Sequence, residues 1–131
     1  MRILIVEDEA LVALQIEMFL EDAGHEVIGQ ADVYDAALEI ARSEHPDLAL
    51  VDVRLAHGSS GLDVAAALKE MNIPALLVTG NCPAEPRSDI AIGCLHKPFN
   101  EKQIVLAVKA AEAVLAGEAP EHTVDQLCLY A

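Results

Sequence analysis

Aromatic residues make up only 3% of the 131-residue chain, and tryptophan is absent. A core built almost without rings must be filled by Val, Leu, Ile and Ala, within a hydrophobic content of 53%. That composition suits a buried parallel sheet covered by helices. Positive charge is also scarce. Eight Lys and Arg face 22 Asp and Glu, a net charge of −14, and the basic residues are scattered singly. No basic patch forms from such a pattern, which argues against nucleic acid and against an anionic membrane as direct partners. A cationic surface on a partner protein fits better. Cys82, Cys94 and Cys128 form no CxxC motif, and with His96 they match no common zinc spacing. Their odd number points to reduced thiols in a cytosolic setting. No apolar run reaches membrane-spanning length, and the N-terminus lacks a basic segment followed by an apolar signal core. The expectation is one soluble, cytoplasmic domain.

Strand-like and helix-like periods alternate along the chain. Residues 2–6 are a continuous apolar run, as a strand buried on both faces requires. A helix over 10–23 stops at Gly24, and a strand over 26–31 follows. Asp32 offers an N-cap for a helix over 33–44, which His45-Pro46 ends. Strand 48–52 leads into a loop with Gly58 and Gly61. The helix from Leu62 to about Met71 stops at Asn72. Strand 75–79, strand 92–96 and helix 100–116 complete the series. Pro83 and Pro86 break the stretch 80–91, leaving roughly Arg87 to Ala91 for one helical turn, so a short or degraded fourth helix is expected there. The order implies an α/β, doubly wound, five-stranded parallel sheet. The domain spans 2–116, and 117–131 form a C-terminal tail, either loose or packed on the domain or on a neighbour.

Asp8, Asp52, Thr79 and Lys97 each stand just past an apolar run. Parallel strands bring all four to one sheet edge, where open α/β sheets place their ligand sites. A carboxylate can accept a phosphoryl group as an acyl phosphate. Transfer of that group is governed by positioning and charge neutralisation. Glu7 and Asp8 can hold a magnesium ion, a hard cation that takes oxygen ligands, and a divalent ion lets clustered carboxylates share a site. Lys97 supplies a positive charge for a phosphoryl oxygen, and Thr79 a hydroxyl for another.

These residues resemble the receiver domain of two-component response regulators. Glu7-Asp8 after the first strand, Asp52 after the third, Thr79 after the fourth, Lys97-Pro98 after the fifth, and Gly61 before the third helix carry the resemblance over residues 2–116. It implies a flavodoxin-like strand order, 2-1-3-4-5. It implies Asp52 as phosphoacceptor and Lys97 as the phosphate-contacting lysine. Mg2+ would be bound by Glu7, Asp8, Asp52 and the Arg54 carbonyl. Thr79 would be the switch hydroxyl, and the Lys97-Pro98 peptide would be cis. The phosphate donor would be a sensor histidine kinase or a histidine phosphotransfer protein. Such a domain is a phosphoacceptor, not an enzyme on other molecules. The tail is too short for an output domain, so a single-domain response regulator signalling by protein contact is expected. The competing readings are an interaction module not controlled by phosphorylation and an aspartate-nucleophile phosphatase. The phosphatase needs a second acid two residues past the nucleophile, where this chain has Arg54.

Three features depart from the family pattern. Cys94 replaces the usual switch aromatic three residues before the lysine, the fourth helix is truncated, and Gly80 follows Thr79 where alanine is more usual. The common output surface of the fourth helix and fifth strand is therefore not expected to serve here. On the first helix, Val12, Ile16, Phe19, Leu20 and Ala23 are expected to face the sheet, leaving Leu11, Leu14 and Met18 on another face. On the last helix, Ile104, Val108, Ala111 and Leu115 point inward, and Leu106, Ala110 and Ala113 form a second stripe. The two helices would lie side by side and present Leu11, Leu14, Met18, Leu106 and Ala110 to a phosphotransfer helix or to a second copy in a homodimer.

Overall fold

The computed structural model describes residues 1–121 and 123–130. Six strands form one sheet in the order β2-β1-β3-β4-β5-β6. They are β1 (Arg2–Val6), β2 (Glu26–Ala31), β3 (Leu48–Val51), β4 (Ala75–Thr79), β5 (Gly93–His96) and β6 (Leu127–Leu129). The first five run parallel, and β6 is antiparallel to β5. Helices α1 (Ala10–Asp22), α2 (Tyr34–Glu44), α3 (Gly61–Glu70) and α4 (Glu101–Leu115) complete the chain.

The apolar runs work as two-faced strands. Leu4, Val6, Ala49, Val51, Ala75, Leu77 and Cys94 point to one side, into a core shared with α2 and α3. Ile3, Ile5, Leu48, Leu50, Leu76, Val78 and Leu95 point to the other, where α1 and α4 cover them. Such alternation within an unbroken apolar run belongs to a sheet with helices on both faces. From β1 the chain passes to β2 on one side, while β3 flanks β1 on the other. A crevice therefore opens at the carboxyl ends of β1 and β3, the position at which doubly wound sheets bind ligands.

Local signals act where the residues place them. Gly24 and Gly117 take positive φ angles of 95° and 78° after their helices, and Asn72 follows α3 at 61°. Asn100 caps α4 through a reciprocal capping box with Gln103. Asp32, however, does not cap α2. Its carbonyl accepts the Ala56 N–H at 3.1 Å, and the first helical N–H, of Tyr34, donates instead to the Ser59 hydroxyl at 3.2 Å. The cap comes from the β3–α3 loop because that loop folds back onto the helix start.

The stretch 80–91 contains no α-helix, only the hydrogen-bonded turn of Arg87 with Ile90 and Ala91. The tail supplies a sixth strand beyond the five expected, because Leu127, Cys128 and Leu129 continue the sheet past β5. The helix phases also shift. Ala13, not Ala23, is buried on α1, and Leu115 is 42% exposed at the end of α4. Ala110 is 5% exposed and Leu106 half-buried, both lining a groove with tail residue Val124. The docking face expected to include Ala110 and Leu106 is thus partly covered by the chain itself. Leu11, Leu14 and Met18 remain open, at 69%, 47% and 54% exposure. Among the described residues, no helix is long and apolar enough to cross a membrane.

Candidate functional site

Backbone pairing carries the functional side chains to one edge. The Asp52 N–H donates to the Val6 carbonyl at 2.9 Å, extending the β1–β3 ladder by one residue, and the Lys97 N–H donates to the Thr79 carbonyl at 3.0 Å, doing the same for β4 and β5. Glu7 is anchored from the other side, its N–H on the Ala31 carbonyl at 2.8 Å. Gly61 is required by close approach. A Cβ there would overlap the Asp52 carbonyl oxygen and stand 2.9 Å from the Val53 Cα. The Gly61 N–H donates to the Val53 carbonyl at 2.7 Å, which seats the start of α3 against the strand that carries Asp52. The Lys97-Pro98 peptide is cis.

The side chains form one cluster. The Lys97 ammonium donates to Glu7 Oε1 and, at 2.9 Å, to Asp52 Oδ2. Glu7 and Asp52 are 5% and 7% exposed, Thr79 is fully buried, and Asp8 lies open to solvent. Burial pushes the Glu7 carboxyl up to about 7, with the neighbouring Asp52 carboxylate adding to the rise against the opposing Lys97 bond. Burial acts on Asp52 in the same direction, but the Thr79 hydroxyl and the Lys97 ammonium outweigh it and hold Asp52 below the usual carboxylate value. Burial would lower Lys97, yet its two carboxylate partners raise it. The result is an ionised, partnered Asp52 beside a Glu7 carboxyl that, without a metal, titrates around neutrality.

The acidic cluster fits a cation. Glu7, Asp8 and Asp52 each offer an oxygen, and these atoms lie within 4.8 Å of one another. When all three are ionised against one ammonium, the excess negative charge is what a divalent, oxygen-seeking ion such as Mg2+ would neutralise. Arg54 is exposed, and its N–H reaches Asp52 Oδ1 at 3.4 Å. The Thr79 hydroxyl oxygen accepts the Asn81 N–H at 3.1 Å, which fixes the side chain at the end of β4.

The cysteines differ from expectation. Cys82 and Cys94 are joined by a disulfide, with Cα atoms 6.1 Å apart, and Cys128 alone is free. A separation of 12 residues matches no recognisable spacing, so only folding of the β4–β5 connection onto β5 brings the pair together. Cys94, where the family pattern has an aromatic, is therefore buried and tethered.

Comparison with known proteins agrees with this geometry. The family model of the response regulator receiver domain matches residues 3–109. The Phyllosphere-induced regulator PhyR of Methylorubrum extorquens is 47% identical over 79 residues, covering 59% of this chain and 30% of that protein. The transcriptional regulatory protein PdtaR of Mycobacterium tuberculosis is 30% identical over 115 residues, covering 84% of this chain and 56% of that one. This chain thus spans between about 30% and 56% of the length of these relatives. Among solved structures, PhyR from Brucella abortus superposes with a TM-score of 0.71 at 34% identity, covering 88% of this chain and 51% of that one. The receiver domain of PhyR from Erythrobacter litoralis gives a TM-score of 0.71 at 30% identity, covering 94% and 95%. On the matched residues and the site they build, the chain belongs to the response regulator receiver family.

Proposed function

We propose that this chain is a signalling module switched by phosphorylation of Asp52. The observation that carries the reading is the Lys97 ammonium bridging the ionised Asp52 carboxylate and Glu7 at the carboxyl edge of the sheet. An Asp52 oxygen would attack phosphorus, the phosphorus–nitrogen bond to a donor imidazole would break, and the ring would keep the electron pair. The donor class is a phosphohistidine on a sensor kinase or a histidine phosphotransfer protein. Lys97 faces the charge that arrives with the group, and the Thr79 hydroxyl hydrogen-bonds one of its oxygens. Glu7, Asp8, Asp52 and the Arg54 carbonyl would hold Mg2+, which neutralises charge on the transferring group when bound.

Arg54 stands where an aspartate-nucleophile phosphatase needs its second acid, which favours an acceptor over a hydrolase. Leu11, Leu14 and Met18 give α1 an apolar, exposed stripe on an acidic domain, suited to a partner helix. The setting that matches this donor chemistry is cytoplasmic. The test is phosphotransfer from a phosphorylated histidine donor, with Mg2+ and again with excess EDTA. Label should pass to this chain only with the metal, and Leu14→Glu should slow transfer from the protein donor but not from acetyl phosphate. Transfer that is indifferent to EDTA would overturn the metal assignment, and equal loss with both donors would overturn the α1 surface.

A further inference from the structure

All three cysteines converge on β5. Cys82 lies in the β4–β5 connection, three residues after Thr79, and its sulfur is bonded to Cys94. Cys94 is paired in turn with Cys128 in the antiparallel β5–β6 ladder. Opposed residues of an antiparallel pair project from the same face of a sheet. The packing agrees, since Cys82, Cys94 and Tyr130, two residues past Cys128, all belong to one core layer. The His96 N–H on the Gln126 carbonyl and the Tyr130 N–H on the Ile92 carbonyl flank the Cys94–Cys128 pair symmetrically. That makes it a hydrogen-bonded pair, with a Cα separation of about 5.5 Å, inside the span a disulfide bridges. Cys94 therefore has one cysteine partner on the loop and another on the tail strand. The tail partner is the more open of the two, Cys128 being exposed and Cys82 half-buried, while Cys94 itself is 1% exposed.

We infer that these cysteines form an oxidation relay, in which Cys128 meets the oxidant and Cys94 passes the oxidation inward to Cys82. The oxidant is of the peroxide class. The Cys128 thiolate attacks the O–O bond of hydrogen peroxide, giving a sulfenic acid and, after proton uptake, one water. The Cys94 thiol attacks that sulfur, the S–O bond breaks, and a second water leaves. The two sulfurs have then given two electrons to the peroxide, and Cys94 is bonded to Cys128. The Cys82 thiolate attacks the Cys94 sulfur, the Cys94–Cys128 bond breaks, and Cys128 leaves as a thiolate with no further redox change. The product is the arrangement in the structure, a Cys82–Cys94 disulfide and a free Cys128. Disulfides in reducing compartments are characteristically transient and redox-sensing. The bond anchors the segment directly after Thr79 to β5, so the relay gives the site a redox input. That consequence rests on the phosphoacceptor reading, whereas the relay itself does not.

The experiment starts from the fully reduced chain and its Cys82→Ser and Cys128→Ser variants. Each is treated with hydrogen peroxide, quenched by alkylation, and analysed by disulfide peptide mapping. The reduced chain should give the Cys82–Cys94 bond. Cys82→Ser should accumulate the Cys94–Cys128 bond, and Cys128→Ser should form the Cys82–Cys94 bond at least about tenfold more slowly. A Cys82→Ser chain without the Cys94–Cys128 bond, or a Cys128→Ser chain oxidised as fast as the parent, would overturn the relay. Both substituted positions lie outside the fully buried core, so the readout does not depend on altering Cys94.

Discussion

Glu7 governs how the site behaves without a metal. Its carboxyl stands near 7 in the fold against an ordinary value of 4.5, so the folded state binds its proton more tightly. That contribution to stability is complete below about pH 4.5 and is lost as the pH rises through about 7. Metal-free protein should therefore unfold more easily at about pH 8 than at about pH 6. Glu7→Gln should flatten the dependence, and Mg2+ should restore the parent's stability at the higher pH; melting curves that keep their slope in Glu7→Gln would contradict this. Lys97 is the counter-case, because it partners both buried carboxylates. Lys97→Ala should cost about 1–3 kcal/mol in denaturant titrations, by leaving buried charge without its donor. Gly61→Ala should be at least as harmful, by about 1–3 kcal/mol or more, since the added methyl meets the backbone that presents Asp52. An Ala variant as stable as the parent would mean that α3 can recede from β3 at no cost.

Among the elements, α4 is the most explicitly specified. Asn100 and Gln103 satisfy each other's backbone groups, so Asn100→Ala should lower stability by about 1 kcal/mol while leaving phosphorylation by acetyl phosphate intact. Strands β1, β3 and β4 were legible because each is a continuous apolar run, and the Asp8, Asp52, Thr79 and Lys97 positions were legible because each follows an apolar stretch. Less visible features depend on contacts between distant segments. The α2 cap comes from Ser59, 25 residues away, and not from the adjacent Asp32. Leu127 to Leu129 become a strand only because β5 leaves an open edge for them. Ala110 has the spacing of a surface residue, yet it is buried beside the groove that Val124 also lines. The cysteine pair belongs to the same class, since tertiary folding alone joins Cys82 to Cys94. With the 80–92 connection tied to β5 by that bond, phosphorylation of the oxidised chain should leave amide exchange there nearly unchanged. A change centred on 80–95 and nowhere else would contradict that expectation.

The molecule combines a nearly ring-free aliphatic sheet with a surface carrying a net charge of −14. Self-repulsion of that size penalises the compact state, and neutral salt should raise its melting temperature by screening. The same excess of negative charge makes the acidic edge of Glu7, Asp8 and Asp52 a natural cation site, and it disfavours anionic partners. The arrangement of strands supplies the rest: a chain that leaves β1 in one direction and reaches β3 in the other opens a crevice, with Glu7, Asp8 and Asp52 at its mouth. The phosphoryl acceptor proposed there is Asp52. Intact mass spectrometry after incubation with acetyl phosphate and Mg2+ tests that assignment most directly, with Asp52→Asn in parallel. The parent chain should gain the mass of one phosphoryl group and Asp52→Asn should gain none. An unchanged parent mass with both acetyl phosphate and a phosphohistidine donor, or an equal gain on Asp52→Asn, would contradict the assignment.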